Sequence, residues 1–386
     1  MKRLIDPRFL ALPLDRLGAV AVARARALGA TYAAFRIERI KSLELALRDA
    51  ELVTTSNQQD LGMSLRVLVA GTWGFAAIGE LSEPNALLIA EQGIEAAIIS
   101  RALSDEYVEL APEPIYSDGS YISKYEIDPW SVSDREKVEL LATWSAQLLS
   151  HPIVDHVEAE ALFVKENSFY LDSFGTRTIQ QRIRLHPTLT AYAVTESGME
   201  SMRTLAPPSG RGYEYLGNEH WNWSDELAQI PDLLVQRTMA KSVTAGSYDL
   251  VIDPSNLWLT IHESIGHATE LDRALGYEAA YAGTSFATFD KLGSLKYGSQ
   301  LMNVTGDRNS EMGLASIGWD HEGVATQDWN LIEDGIFVGY QMDRQMASAK
   351  GFERSNGCAF ADSPLHVPIA RMANVSLQAK PGGGST

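Results

Sequence analysis

Two histidines flank a glutamate in the segment Ile261-His262-Glu263-Ser264-Ile265-Gly266-His267. Neutral imidazole is a good zinc ligand, and catalytic zinc keeps a position open for water. Bound zinc lowers the pKa of that water toward about 7. A carboxylate beside the metal, but not bound to it, can take the water's proton and pass it to a leaving amine. The metal meanwhile stabilises the oxyanion of the tetrahedral intermediate. In this reading His262 and His267 are the ligands and Glu263 is the general acid/base. The spacing makes a structural demand. Histidines at i and i+4 stand about 40° apart on an α-helix and can share a metal, whereas at i and i+5 they stand about 140° apart. One residue bulging out in a π-type turn restores the geometry, and such turns recur at functional sites. Gly266, directly before His267, can relieve the crowding, so the sequence predicts a distorted helix near residues 263–267. The competing reading is a capped, hydrogen-bonded helix with no metal.

The elements that must position this segment are legible upstream. Residues 14–29 read as a helix closed by Gly29, followed by strands over Tyr32–Ile40 and Ser42–Arg48. Leu61–Ala70 and Thr72–Ile78 read as a hairpin turned at Ala70-Gly71, and Glu83–Leu103 as a helix with Pro84 in its first turn. The polar, proline-containing stretch 104–130 suggests a boundary. Ser133 and Glu136 form a capping box for a helix to about Leu149. Residues 154–196 alternate polar and apolar, which predicts a meander of about four strands with Gly175 at a turn. A helix follows from Ser224, then a short buried strand at Tyr248–Ile252, where Asp253-Pro254 opens the metal helix. The fold class is therefore α+β. It divides into an N-terminal α/β module (1–110), a central helix and β-meander region (111–230) and a β-rich C-terminal part carrying the metal helix (231–386).

The composition excludes several classes. Among 386 residues, 50 acidic side chains outnumber 32 basic ones, for a net charge of −18. Such a surface repels phosphate backbones, so nucleic acid is not the expected partner. Hydrophobic residues at 45% indicate a globular chain rather than a disordered one. Cys358 is the only cysteine, so no disulfide forms within the chain, and a reducing compartment is expected. The opening Met1–Asp15 lacks a signal-peptide pattern, and no apolar run is long enough to span a membrane, which points to the cytoplasm. The run Lys380–Thr386 has phosphate-loop residue types in the wrong order and is discounted.

The motif segment, with Gly276-Tyr-Glu-Ala-Ala-Tyr-Ala-Gly283-Thr-Ser after it, resembles the TldD/PmbA family. Further segments agree. Leu314–Gly323 looks like the family's strand ending in an acidic pair before glycine. Asn330–Gln341 looks like its hairpin turned at Asp334-Gly335, Arg371-Met372-Ala373-Asn374 like its Arg-Met-x-Asn segment, and residues 30–80 like its N-terminal module. The histidines mark the TldD branch, since the PmbA (TldE) type lacks the zinc motif. The resemblance implies a zinc metallopeptidase that cuts unfolded or modified peptides in a chamber shared with a PmbA/TldE-type partner subunit or built as a homo-oligomer. It implies zinc ligation by His262 and His267 and acid/base catalysis by Glu263. Family members continue past the Arg-Met-x-Asn segment, where a cysteine supplies the third ligand. This chain stops at Thr386, and Cys358 lies upstream of Arg371, so the third ligand is expected to be missing.

Other candidates carry plainer alternatives. Cys358 is a substitute ligand or a small turn residue after Asn356-Gly357, and a Cys358–His366 protease pair is the remotest option. His151 and His156 cap or lie on the surface at a helix–strand junction. Asp320-His321-Glu322 contacts substrate or sits in a solvated turn. Glu270 is a ligand, a surface residue or a partner that holds His267. Tyr277, Tyr281 and Phe286 line a peptide cleft or pack in the core.

Overall fold

The computed structural model describes residues 3–104, 106–196 and 198–379. A short helix α1 (Pro7–Leu10), capped by Asp6, precedes α2 (Leu14–Ala27). Two long strands follow, β1 (Tyr32–Arg48) and β2 (Glu51–Val69), and β1 runs unbroken through the point where the sequence suggested two strands. β3 (Thr72–Ile78) returns through Ala70 and Gly71, both at positive φ (47° and 76°), the two-residue turn whose twist matches a hairpin. Helix α3 (Glu83–Arg101) is capped by the Ser82 hydroxyl. Then come β4 (Gly119–Ile122), α4 (Asp134–Leu149) with Ser133 as its cap, β5 (His156–Asp172), β6 (Arg177–Thr195), β7 (Gly198–Arg203) and α5 (Trp223–Met239). The expected four-strand meander is instead two strands of 17 and 19 residues, turned at Gly175, with β7 folded back on β6. Within β5, Lys165 and Asn167 are buried, Lys165 donating to Asp128 and Asn167 accepting from Arg39.

These strands form one sheet in the order β3-β2-β1-β5-β6-β4, so strands from both sides of residue 110 lie in it. Side chains alternate across a sheet, and the alternation sets the architecture. Odd-numbered residues of β1, β2, β5 and β6 face the helices. Phe35, Ile37, Leu65 and Phe169 pack with α2 and α3. Leu43, Leu45, Phe163 and Leu189 pack with α4 and α5. Between these two cores runs a buried polar belt, in which Arg39 donates to Asp6 (2.6 Å) and Asn167 (2.7 Å), and Asn167 donates to Gln181 (2.8 Å).

The even-numbered face receives the rest of the chain. Residues 240–253 carry no helix or strand and are exposed, so the predicted buried strand at Tyr248–Ile252 is not formed; among the described residues no strand pairs with it. Beyond lie α6 (Pro254–Ile261), α7 (Leu271–Ala274), β8 (Asn303–Asp307), β9 (Asp328–Glu333) and β10 (Ile336–Phe337). They are followed by α8 (Arg344–Ala349), β11 (Ala359–Phe360), β12 (Ile369–Ala370) and β13 (Asn374–Gln378). A four-stranded sheet has the order β10-β9-β8-β13, and β11 pairs β12. Its β9–β10 hairpin turns at Asp334-Gly335, both at positive φ, as the sequence suggested.

Leu314–Gly323 is not a strand, since its only pairing is the isolated bridge Trp319–Ala325. Its polar triplet Asp320-His321-Glu322 is not solvated and lies outside the His262–Glu263–His267 grouping; it docks the loop onto the large sheet. Nδ1 of His321 accepts from Arg36 (2.6 Å) and the Ala361 amide (3.0 Å), so its protonated Nε2 donates to Glu38 (3.0 Å). Glu322 pairs with Arg66 (2.7 Å), and Asp320 accepts from the amides of Glu322, Val324 and Ala359. Burial alone would raise the Glu38 carboxyl, but Arg36 and His321 outweigh it and hold it at about 2.

Candidate metal centre

Asp253 caps α6 by accepting from the Ser255 amide (2.9 Å), and Pro254 occupies the first turn. After Ile261 the helix widens. Residues His262–Gly266 form a π turn, closed by the His267 amide donating to the His262 carbonyl, and a 3-10 turn His267–Thr269 follows. The distortion demanded by the i, i+5 spacing is therefore present at the predicted place. The imidazole rings of His262 and His267 lie 4.6 Å apart, centroid to centroid, nearly perpendicular at 84°. One donor atom from each of His262, Glu263 and His267 falls within 4.8 Å of the others. That is the one such grouping of His, Cys, Asp and Glu among the described residues.

The π turn is held by residues far away in sequence. A Cβ on Gly266 would overlap the Met372 thioether, so glycine permits the close approach. Gln341, fully buried, donates to the Gly266 carbonyl (2.7 Å) and accepts from the Ala373 amide (2.7 Å). The Asn374 amide group accepts from Ala315 N (2.9 Å) and donates to the Ser316 hydroxyl (3.0 Å). Segments 262–270, 330–341 and 371–374 thus meet around one turn, and Ala315 and Ser316 reach it through Asn374. The sequence reading gave Gln341 and Met372 no role, because their importance lies in which backbone they touch.

The electrostatics suit a neutral imidazole at His262. Burial, reinforced by the neighbouring His267, lowers the His262 pKa and favours the uncharged imidazole. Glu270 is fully buried, so it is not a surface residue, and it lies outside the grouping of His262, Glu263 and His267. Its Oε2 lies 3.0 Å from His267 Nδ1 and 3.1 Å from the Arg273 guanidinium. Glu263 is exposed, and among the described residues no hydrogen bond or ion pair ties it down. Cys358 is buried outside the cluster, and burial pushes its thiol up to about 11, which suits neither ligation nor nucleophilic attack. His366 instead bonds Asp362 (2.7 Å). His156 bonds Asp49 (2.9 Å) and His151 accepts from the Ile153 amide (3.3 Å), the surface and capping roles expected for them. Tyr277, Tyr281 and Phe286 are all exposed rather than in the core.

With this geometry in view, the comparison with known proteins is specific. The family description "PmbA/TldA metallopeptidase C-terminal domain" matches residues 245–385, and "PmbA/TldA metallopeptidase domain 1" matches residues 33–98. Together the two matches cover more than half of the chain. The chain belongs to the TldD/PmbA metallopeptidase family. A metalloprotease of Methanocaldococcus jannaschii is 27% identical over 358 residues, 92% of this chain and 74% of that protein. A zinc metalloprotease TldD homolog of Saccharolobus solfataricus is 24% identical, over 94% of this chain and 76% of its own length. The crystal structure of TldE from Thermococcus kodakarensis shares the fold, with a TM-score of 0.64, 16% identity and coverage of 92% of this chain and 76% of that one. The TldD/PmbA fold thus accounts for the mixed helix-and-sheet layout, with the π turn sitting inside the C-terminal match. Among the described residues no helix is long and apolar enough to cross a membrane.

Proposed function

We propose that this chain is a zinc-dependent peptidase of the TldD type, acting on unfolded or modified peptides. The observation that carries the reading is the π turn that faces His262 and His267 toward each other with Glu263 beside them. The donor set suits zinc: two imidazoles, one of them depressed toward neutrality by burial, and a free carboxylate. Bound zinc would supply Lewis acidity and a water acidified toward about 7. His262 and His267 would hold it. Glu270 accepts the Nδ1 proton of His267, fixes the ring and leaves Nε2 for the metal, while Arg273 compensates the Glu270 charge. Glu263, unbonded and exposed, takes a proton from the attacking water and delivers it to the leaving amide nitrogen. Catalytic zinc uses three protein ligands, so a third donor joins this pair from outside the described cluster. The family resemblance suggests a cysteine, a PmbA/TldE-type partner subunit and a cytoplasmic setting.

The second reading is a non-catalytic peptide-binding or scaffold subunit. It draws support from the same cluster, whose described members include only two histidines besides the proposed base. Elemental analysis combined with Glu263→Gln separates the two. The peptidase reading expects about one zinc per chain, retained in the variant, and hydrolysis reduced by about 10²–10⁴-fold. Folded protein without zinc supports the scaffold reading, and hydrolysis that survives the substitution removes Glu263 as the base.

A further inference from the structure

An open cleft of about 710 Å³ lies beside the motif helix and includes His262 in its wall. One side of it is apolar, formed by Leu257, Trp258 and Ile261 of α6 with Leu377 of β13. The other side carries four arginines, Arg182, Arg184, Arg308 and Arg371. Among the described residues lining the cleft there is no aspartate or glutamate. In a chain with a net charge of −18, that is a marked local reversal.

At the Arg182–Arg184 end the charges behind the wall do not cancel it, whereas Arg371 sits near the carboxyls of Glu278 and Asp272. Arg182 and Arg184 both pair with the single carboxylate of Glu166. Nearby, Arg36 pairs with Glu38, and burial lowers the His321 pKa and favours its neutral form. Three guanidiniums therefore face two carboxylates on this patch. Arg308 is buried and donates to the backbone carbonyls of Ala315 (3.3 Å) and Arg371 (3.0 Å) and lies against the Cys358 thiol, so none of these partners is a carboxylate. Arg371 pairs with Glu278 (2.9 Å) through Nη1 alone. Arg184 likewise engages Glu166 only through Nη2. The side chains of Arg184 and Arg371 remain 25% and 28% exposed, so each has further N–H groups open to the cleft.

We infer that this cleft binds a carboxylate of the peptide substrate, received by Arg184 and Arg371, with Arg182 and Arg308 adding charge from behind. An aliphatic or aromatic side chain beside that carboxylate would lie against Leu257, Trp258 and Ile261. Forked guanidiniums suit a planar carboxylate, and partial burial strengthens the pairing. The carboxylate is either the chain terminus or an Asp or Glu side chain. The inference deepens the peptidase reading and rests on it for the word substrate, but the binding it describes needs no metal.

Fluorescence anisotropy with end-labelled unstructured peptides tests it on the full chain carrying Glu263→Gln, which prevents turnover. Four peptides share one sequence: a free acid with one internal Glu, its C-terminal amide, the free acid with that Glu replaced by Gln, and the amide with the same replacement. If the terminus is the recognised group, amidation weakens binding about tenfold or more; if it is the side chain, the Glu-to-Gln change does so. Arg184→Gln and Arg371→Gln should each weaken the preferred peptide and leave the doubly neutral peptide unchanged, whereas Arg184→Lys recovers part of the loss. Equal binding of charged and neutral peptides, or no binding of any, overturns the inference, and that comparison needs no arginine variant to fold. Hydrolysis by zinc-loaded wild type that ignores peptide charge also overturns it while sparing the peptidase reading. Charge-dependent binding without hydrolysis leaves the inference standing and counts against the peptidase reading.

Discussion

The large sheet and the metal turn are held together in opposite ways. In the sheet, strands of 17 to 19 residues repeat one pattern, apolar toward the helices and polar toward the C-terminal region. Each contact there is one of many similar ones, and the register is fixed by alternation. At the metal turn, α6 has no buried residue, and the backbone leaves the regular helix where the histidines stand. Its conformation depends on a few individual bonds, above all those of Gln341, from segments about 75 and 105 residues away. A distributed core tolerates local loss by sharing it, whereas a site built from single bonds loses its geometry with any one of them. The same irregularity lets two histidines five residues apart face each other, which a better-packed, regular helix forbids.

Four experiments sharpen this contrast. The largest effect belongs to the sheet. Phe163→Ala in the buried core should cost about 3–5 kcal/mol, read as a shift of the denaturation midpoint with metal binding unchanged in the protein that remains folded. Gln341→Leu should cost less, about 1–3 kcal/mol, because it strands the buried Ala373 amide and leaves the Gly266 carbonyl only the Thr269 hydroxyl. Zinc affinity should fall by about tenfold or more with the far-UV circular dichroism unchanged. If instead the fold is lost and zinc binding in surviving protein is normal, the turn does not depend on Gln341 as described.

Acidification probes the polar face of the sheet. Glu38 is depressed to about 2, so its contribution is present above the unfolded value of 4.5 and is lost as pH falls toward 2. From pH 4.5 to 3.5 stability should drop by at most about 1.4 kcal/mol from this group, and Glu38→Gln should flatten that slope. An unchanged slope in the variant would assign acid sensitivity elsewhere. Last, Arg24→Gln removes an exposed pair with Glu91 (2.6 Å) and should change stability by about 0–1 kcal/mol, a control for surface charge.

Much of the fold was legible because local signals act alone. The Ser133 cap, the Ala70-Gly71 and Asp334-Gly335 turns and the helices at 14–27 and 83–101 all stand where residue type alone placed them. The misreadings share one cause. Residues 154–196 read as about four strands because alternation alone marks no strand ends, and the buried Lys165 and Asn167 fit one long strand only through their partners Asp128 and Arg39. Tyr248–Ile252 looked like a strand because it is apolar, but a strand needs a partner edge. Asp320-His321-Glu322 looked solvated because charge normally is, yet Arg36 and Arg66 wait for it on the sheet.

At the site the division is similar. By itself the sequence determined the donor types, His262, Glu263 and His267, and required that the helix break between them, since 3.6 residues per turn cannot face an i, i+5 pair. It also fixed the glycine that makes the break possible. Only the tertiary structure decided that Glu270 turns inward to His267, that Gln341 and Met372 shape the turn, and that Arg182 and Arg184 of β6 line one cleft with Arg308 and Arg371 from two loops. Spacing along a chain governs what neighbouring residues can do together. Contacts between residues distant along the chain, such as Gln341 and Gly266, are set by how the sheets and loops pack, and no local pattern encodes them.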